Sequence, residues 1–195
     1  MRQLILLLFT IGILNFSYGQ NHQISAGAGV LSSNSVFNAL SSIGKNIAGS
    51  AFNGSTLSNS KYLGDFRVTY AYSPLNWLAV GATFSYAQSS HDHIKNNVVI
   101  GHQSIDYYTI AGEAKFYYIK KEHVRLYGLL GAGATFANQE DRMTSNNQAE
   151  NREFKFLNLH LSPIGVEAGA ENFGGFFELG FGYRGFASIG AFLRF

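Results

Sequence analysis

Three sets of residues have types and spacings that could do chemistry. The first is His160-Leu161-Ser162. On an extended chain, residues two apart share a face, about 7 Å from each other by strand rise. A serine nucleophile needs a base within hydrogen-bond reach and a third group to orient that base. Glu171 or Glu178 would have to fill that third role. The second set is His91-Asp92-His93, with His102 further on. Imidazole and carboxylate suit zinc or copper, but no fixed spacing here marks a closed tetrahedral site, and a solvated polar loop accounts for the same residues. The third set is nine charges of both signs: Asp65, Arg67, Glu113, Lys115, Arg125, Glu167, Glu178, Arg184 and Arg194. Their chemistry depends wholly on whether the fold brings them together.

Composition narrows the fold. Charged residues are 13 % of the 195-residue chain, against about 25 % in an average soluble domain. Aromatics reach 15 %, glycines number 22 and prolines 2. A disordered chain would be charged and poor in aromatics. The absence of cysteine excludes disulfides, thiolate metal sites and a cysteine nucleophile. A net charge of +2 provides no basic stripe for nucleic acid.

Residues 1–19 read as an export address. Arg2 provides a positive start, Leu4–Leu14 an apolar run, and Ser17 and Gly19 the small residues before a cut at Gln20. The run is about half the roughly 20 residues that a helical span requires. The expected domains are therefore a cleaved signal peptide, 1–19, and a single domain, 20–195.

The remainder alternates with period two, the strand signature. Ala187, Ile189, Ala191, Leu193 and Phe195 share one face, opposite Ser188, Gly190 and Arg194 with Phe186 and Phe192. Phe177, Leu179, Phe181 and Tyr183 oppose Phe176, Glu178 and Arg184. Six further segments behave alike: Gln23–Ser32, Tyr62–Ser73, Trp77–Ala87, Ile105–Tyr118, Val124–Phe136 and Phe154–Gly169. In the last, the apolar parity flips after Pro163, which predicts a bulge there, since proline cannot donate to a ladder. The count is eight strands, each of the roughly ten residues that a tilted membrane strand needs.

One face carries little polarity beyond tyrosine hydroxyls. The other is crowded with Gly, Ala, Ser and Thr and holds the nine charges. A soluble barrel would turn bulky residues inward and many charges outward. Small residues and paired opposite charges suit a narrow lumen instead, with the apolar face against lipid. Tyr70, Tyr72, Tyr86, Tyr108, Tyr118 and Tyr183 are expected on that outer face as an interfacial girdle. The connections alternate long and short. Loops 34–61, 89–104 and 138–153 fall on one side, and turns near Leu75, Glu122 and Asn172 on the other. The turn near Arg184-Gly185 is the one short connection on the long side. Short periplasmic turns with longer external loops are the membrane-barrel pattern. In the first loop Val36, Leu40, Ile43 and Ile47 follow helical spacing behind Ser35.

The signal peptide, the alternating strands, Ser162-Pro163-Ile164-Gly165-Val166-Glu167 and the terminal Leu193-Arg194-Phe195 resemble small outer-membrane barrels of the OmpA, OmpX and OmpW type. The resemblance implies an all-β, eight-stranded antiparallel up-and-down transmembrane barrel in a Gram-negative outer membrane. It also implies that Phe195 is read by the outer-membrane insertion machinery. Separately, His160-Leu161-Ser162 resembles the His-x-Ser of lipid A deacylases, but on the lumen face it would not meet acyl chains. Eight strands leave room only for side chains, so the nine charges are expected to fill the lumen as an ion-pair network. The expected function is a non-enzymatic surface or structural barrel, monomeric and without cofactor or metal. Its partners would be outer-membrane lipids and lipopolysaccharide, and an extracellular partner through loops 34–61, 89–104 and 138–153. A narrow conduit for small solutes or hydrophobic compounds is the alternative, and a lipid A-modifying enzyme a more distant one.

Overall fold

The computed structural model describes residues 21–33, 55–95, 98–143 and 149–195. The expected signal peptide and the helical spacing at Val36–Ile47 lie outside them. Eight antiparallel strands close into one barrel in sequence order, with β1 paired to β8. They are β1 (His22–Val30), β2 (Ser55–Leu75), β3 (Leu78–Lys95), β4 (Val98–Lys120), β5 (Val124–Met143), β6 (Ala149–Gly169), β7 (Phe173–Gly182) and β8 (Ala187–Arg194). Closure removes the edges that a twisted open sheet would expose.

The turns after β2, β4 and β6 lie at one end and are tight. The Pro163 bulge forms as expected. Tyr127 pairs with Gly165 and Leu129 with Ser162, and on the other side the register slips between Leu161 and Ile164. Outward exposure shifts parity there with it, from Leu161 to Ile164.

Three expectations about the long connections are corrected. Residues 55–61 are the upper part of β2, paired with β3 from Ser55↔Lys95 to Lys61↔Ser90. Residues 89–95 and 98–104 are not loop but the upper halves of β3 and β4, paired from Ser89↔Ile105 up to Lys95↔Val98. Residues 138–143 and 149–153 likewise extend β5 and β6. The reason is physical. The alternation of apolar and polar residues marks a strand only where its two faces meet different media. Above the apolar band the outward residues turn polar while the inward ones mix apolar Ala87, Ile105 and Tyr107 with polar Ser89, His91 and Gln103, so the ladder continues while the pattern fades. Strands β2–β6 therefore rise as a tall wall of 18–23 residues each, beside β1, β7 and β8 of 8–10.

Sidedness is inside-out relative to a soluble protein. Ile24, Val68, Val80, Phe84, Ile110, Leu130, Leu157, Leu159, Phe177 and Ile189 all face outward and are exposed. The nine charges named above all point inward and are buried or nearly so. On β4 the outer apolar face runs from Tyr108 to Tyr118. About ten residue steps on a strand tilted as in small barrels give a band about 25 Å tall. The next outward row is Gln88, Asp106, Asn138 and Glu153, followed by Ser90, Ser104, Glu140 and Asn151. The outer surface changes from apolar to polar within one row.

Aromatics mark both rims of the band. Phe66, Tyr86, Tyr108 and Phe136 occupy one cross-strand row. At the tight-turn end, Trp77 stacks on Phe116 at 6.3 Å, and His22 lies against Tyr70, Tyr72 and Phe195. Tyr183 departs from the expected girdle: it is fully buried inside. Gly182 at φ 137° breaks the alternation just before it, a conformation open to glycine. Phe186 departs the other way and faces outward from the turn that precedes β8.

Candidate functional site

The interior is built from two charged layers. In the layer nearer the tight turns, Glu167 on β6 is the hub. Its Oε1 accepts from Lys115 Nζ on β4 at 2.6 Å and from Gln23 Nε2 on β1 at 2.9 Å. Its Oε2 accepts from Arg194 Nη2 on β8 at 2.5 Å. Arg194 Nε also donates to Gln23 Oε1 at 3.1 Å. Lys115 lies over the Tyr127 ring at 4.4 Å, and Arg194 over Phe192 at 3.9 Å.

In the second layer Glu178 on β7 is the hub. It accepts from Arg67 Nη2 on β2 at 3.1 Å, Arg184 Nη1 at 2.8 Å, Tyr127 Oη on β5 at 2.7 Å and Ser188 Oγ at 3.1 Å. Glu113 on β4 accepts from Tyr183 Oη at 2.9 Å and lies 3.5 Å from Arg184 Nε. Charge-assisted bonds of this kind are about twice as strong as neutral ones. Most of these contacts join strands that are not neighbours in the sheet. They therefore cross the lumen, and the void between the two layers is only about 10 Å³, roughly the room one water needs.

Asp65 and Arg125 complete the set of nine. Asp65 is buried beside Gly29 on β1. Arg125 is buried opposite Glu167 in register, yet no ion pair joins it to a carboxylate among the described residues, and its Nε has no hydrogen-bond partner. Sequence reasoning counted opposite charges on one face. It could not see that Glu167 has both oxygens already taken.

Glycines make this packing fit. A Cβ on Gly165 would come within 2.4 Å of the Tyr127 ring, and one on Gly190 within 2.5 Å of Phe176. Gly165→Ala should push Tyr127 away from Glu178 and cost about 1–3 kcal/mol, as overpacking does. Urea unfolding followed by tyrosine fluorescence would measure it.

Beside the void the Thr69 and Thr83 hydroxyls meet at 2.5 Å. Farther from the tight turns the Thr109 and Thr135 hydroxyls meet at 2.8 Å. Asn158 Nδ2 donates to Thr135 Oγ1 at 3.0 Å, and Ser33 Oγ donates to Asn158 Oδ1 at 2.8 Å. Above them Ala87, Ile105, Tyr107 and Ala137 form an apolar cluster with Phe156 against it.

The His160–Ser162 pair faces the lumen, and both residues are buried. Ser162 Oγ donates to Leu179 O at 2.8 Å and lies 3.3 Å from Ile164 O. The His160 ring packs against Tyr183 at 5.3 Å, and neither ring nitrogen has a hydrogen-bond partner. Glu178, one of the two residues that could orient the histidine, is committed to Arg67 and Arg184. The parts of a nucleophilic site are present but not joined. The histidine set is also divided. His102 Nδ1 meets Asp92 Oδ1 at 2.7 Å on the outer surface, whereas His91 is buried inside, because adjacent strand residues face opposite ways. Among the described residues no three His, Cys, Asp or Glu side chains are grouped to hold a metal.

Phe195 closes the seam. His22 N donates to Phe195 O at 3.1 Å, Phe195 N donates to His22 O at 3.0 Å, and the two rings stack at 5.8 Å.

A closed eight-stranded antiparallel barrel with a polar, bridged interior and an apolar exterior has the architecture of the small outer-membrane barrels. No known protein family matches the chain, and no curated protein is similar to it. Among solved structures it is similar to Ail, the attachment invasion locus protein of Yersinia pestis. In the complex of that protein with the heparin analogue sucrose octasulfate the identity is 17 % and the TM-score 0.44, covering 89 % of this chain and 96 % of that one. A second Ail structure gives 20 % and 0.39, covering 89 % and 92 %. Likeness at this level assigns no ligand or partner.

Proposed function

We propose that this chain is an integral outer-membrane barrel with a closed lumen and a non-enzymatic structural or surface-binding role. The observation that carries the reading is the apolar band about 25 Å tall on the outside of a polar interior, the thickness such barrels present to lipid. The polar tops of β2–β6 would then stand outside the cell. There Asp92–His102 and Glu140–Arg142 pairs border a cleft of about 470 Å³ with Ser90, Gln103 and Ser104. An extracellular partner would meet the wall formed by residues 89–104 and 138–153, together with the segment 34–61, of which residues 55–61 are the top of β2. Lys155, which lies 5.5 Å over the Phe136 ring at the upper rim, would meet lipopolysaccharide headgroups. The barrel would act as a monomer, without a cofactor. Phe195 would serve the insertion machinery as the last residue of the seam.

The bridged lumen argues against the conduit reading. In planar bilayers the protein should show no steady openings. Arg67→Ala should not create a stable pore either, because the layer centred on Glu167 remains. Regular, resolved conductance steps in the wild type would instead establish the conduit. The folded barrel should also migrate differently on gels before and after boiling, reporting its detergent-resistant closed sheet.

A further inference from the structure

We propose that the tight-turn mouth of the barrel is an anion site, formed by Arg125 with Lys120 and Arg194, that takes a phosphate group. This goes beyond the reading of the barrel as a closed surface protein and concerns its opposite end. Four cations point into the mouth: Lys115, Lys120, Arg125 and Arg194. One carboxylate, Glu167, answers them, and its two oxygens are filled by Lys115, Gln23 and Arg194. Arg125 is directly across from Glu167 on one side and directly across from Lys120 on the other. Like charges opposed across strands repel, and here no carboxylate has been placed between them. The turn carboxylate Glu122 is exposed and lies 3.9 Å from His123, and Glu171 gives Arg194 its backbone carbonyl at 3.3 Å.

Arg125 is thus nine-tenths buried as a residue, its buried Nε lacks a partner, and it lies directly across from a second cation. Lys120 sits past the end of the apolar band, where its ammonium lies 5.4 Å over the Tyr117 ring. Partial burial and the repulsion of Arg125 and Arg194 both depress its pKa. A phosphate with two free oxygens fits this arrangement. The arginine fork binds two oxygens in one plane, and a lysine adds a compact point charge. At this end of a membrane barrel the phosphate could belong to a phospholipid headgroup or be free in solution. The chemistry is shared, and the test distinguishes the sources.

The folded protein in neutral detergent micelles is titrated with inorganic phosphate, ionic strength being held constant with sodium chloride, and thermal unfolding is followed. In parallel, it is reconstituted in vesicles of an uncharged, phosphate-free galactolipid with and without phosphatidylglycerol. A saturable rise in the wild-type midpoint with phosphate, weakened at least tenfold in Arg125→Gln and far less in the exposed turn variant Lys121→Gln, supports a free-phosphate site. A rise with phosphatidylglycerol alone, lost in Arg125→Gln, supports a headgroup site. In phosphate-free micelles Arg125→Gln should be at least as stable as the wild type, because it relieves the repulsion from Lys120. If neither phosphate nor phosphatidylglycerol separates the wild type from Arg125→Gln, the proposal is overturned. A clear loss of stability in Arg125→Gln without any anion would also overturn it, by showing that Arg125 is already satisfied within the protein.

Discussion

Glu178→Ala is expected to destabilise the barrel by about 3–5 kcal/mol, the cost of breaking a buried pair and stranding its charges. The carboxylate is buried and accepts four hydrogen bonds, from Arg67, Arg184, Tyr127 and Ser188. Its removal leaves two guanidinium groups facing each other across the lumen, with only Glu113 within 3.5 Å of Arg184. Glu178→Gln keeps the shape but not the charge and should lie between alanine and the wild type. Urea titration of the folded protein in lipid vesicles, read by the heat-sensitive gel shift, gives the number. A loss below about 1 kcal/mol, the value of an exposed ion pair, would mean that water fills the layer and screens the charges.

The second large effect belongs to the outside. Leu130 lies midway along the outer face of β5 and is half exposed in the isolated chain. Leu130→Arg should cost about 2–4 kcal/mol in a bilayer, as a cation does at the midplane of a barrel's lipid face. The same change on a water-exposed strand would fall within about 0.5 kcal/mol. Asn138→Arg, on the same outward face but above the band, should be close to neutral. The difference between positions 130 and 138 thus reads the height of the lipid boundary on a single strand.

Much of this architecture is legible in the sequence because the apolar outside and the polar, bridged inside of the barrel are such different surroundings. Ile110 and Glu113, or Leu130 and Gly131, declare their faces by type alone. Pro163 announces its bulge for the simple reason that it has no N–H to donate. Three features are not legible, each for its own reason. The upper halves of β3–β6 are hidden because outward Gln88, Ser90 and Glu140 and inward Gln103 are all polar, so that polarity no longer reports direction. Tyr183 turns inward at a glycine whose positive φ is a property of the turn and not of the period. Its hydroxyl then finds Glu113. The third is the pairing of charges across the lumen, which depends on register and tilt. Adjacent positions put Arg125 opposite Glu167, while bonds from more distant strands claim that carboxylate first.

The glycines show the same division. Their abundance on the inner face is visible as a pattern of small residues. What each one accommodates is specific: the flat ring of Tyr127 over Gly165, the edge of Phe176 against Gly190. These contacts bring aromatic rings into a narrow interior beside buried guanidinium groups, with Arg67 5.2 Å over Phe176. The lumen is thus filled by rings and paired charges together.

The most direct test of the whole account is the depth of a single fluorophore. Trp77 is the one tryptophan and sits at the tight-turn rim. In a Trp77→Phe background, Leu130→Trp is reconstituted into vesicles of lipids brominated near the ends of their acyl chains. The account predicts strong quenching by the bromines and almost none by aqueous acrylamide, the reverse of the balance expected for a residue above the band. Free access of acrylamide to position 130 with no effect of the brominated lipid would place the apolar face in water and contradict the account.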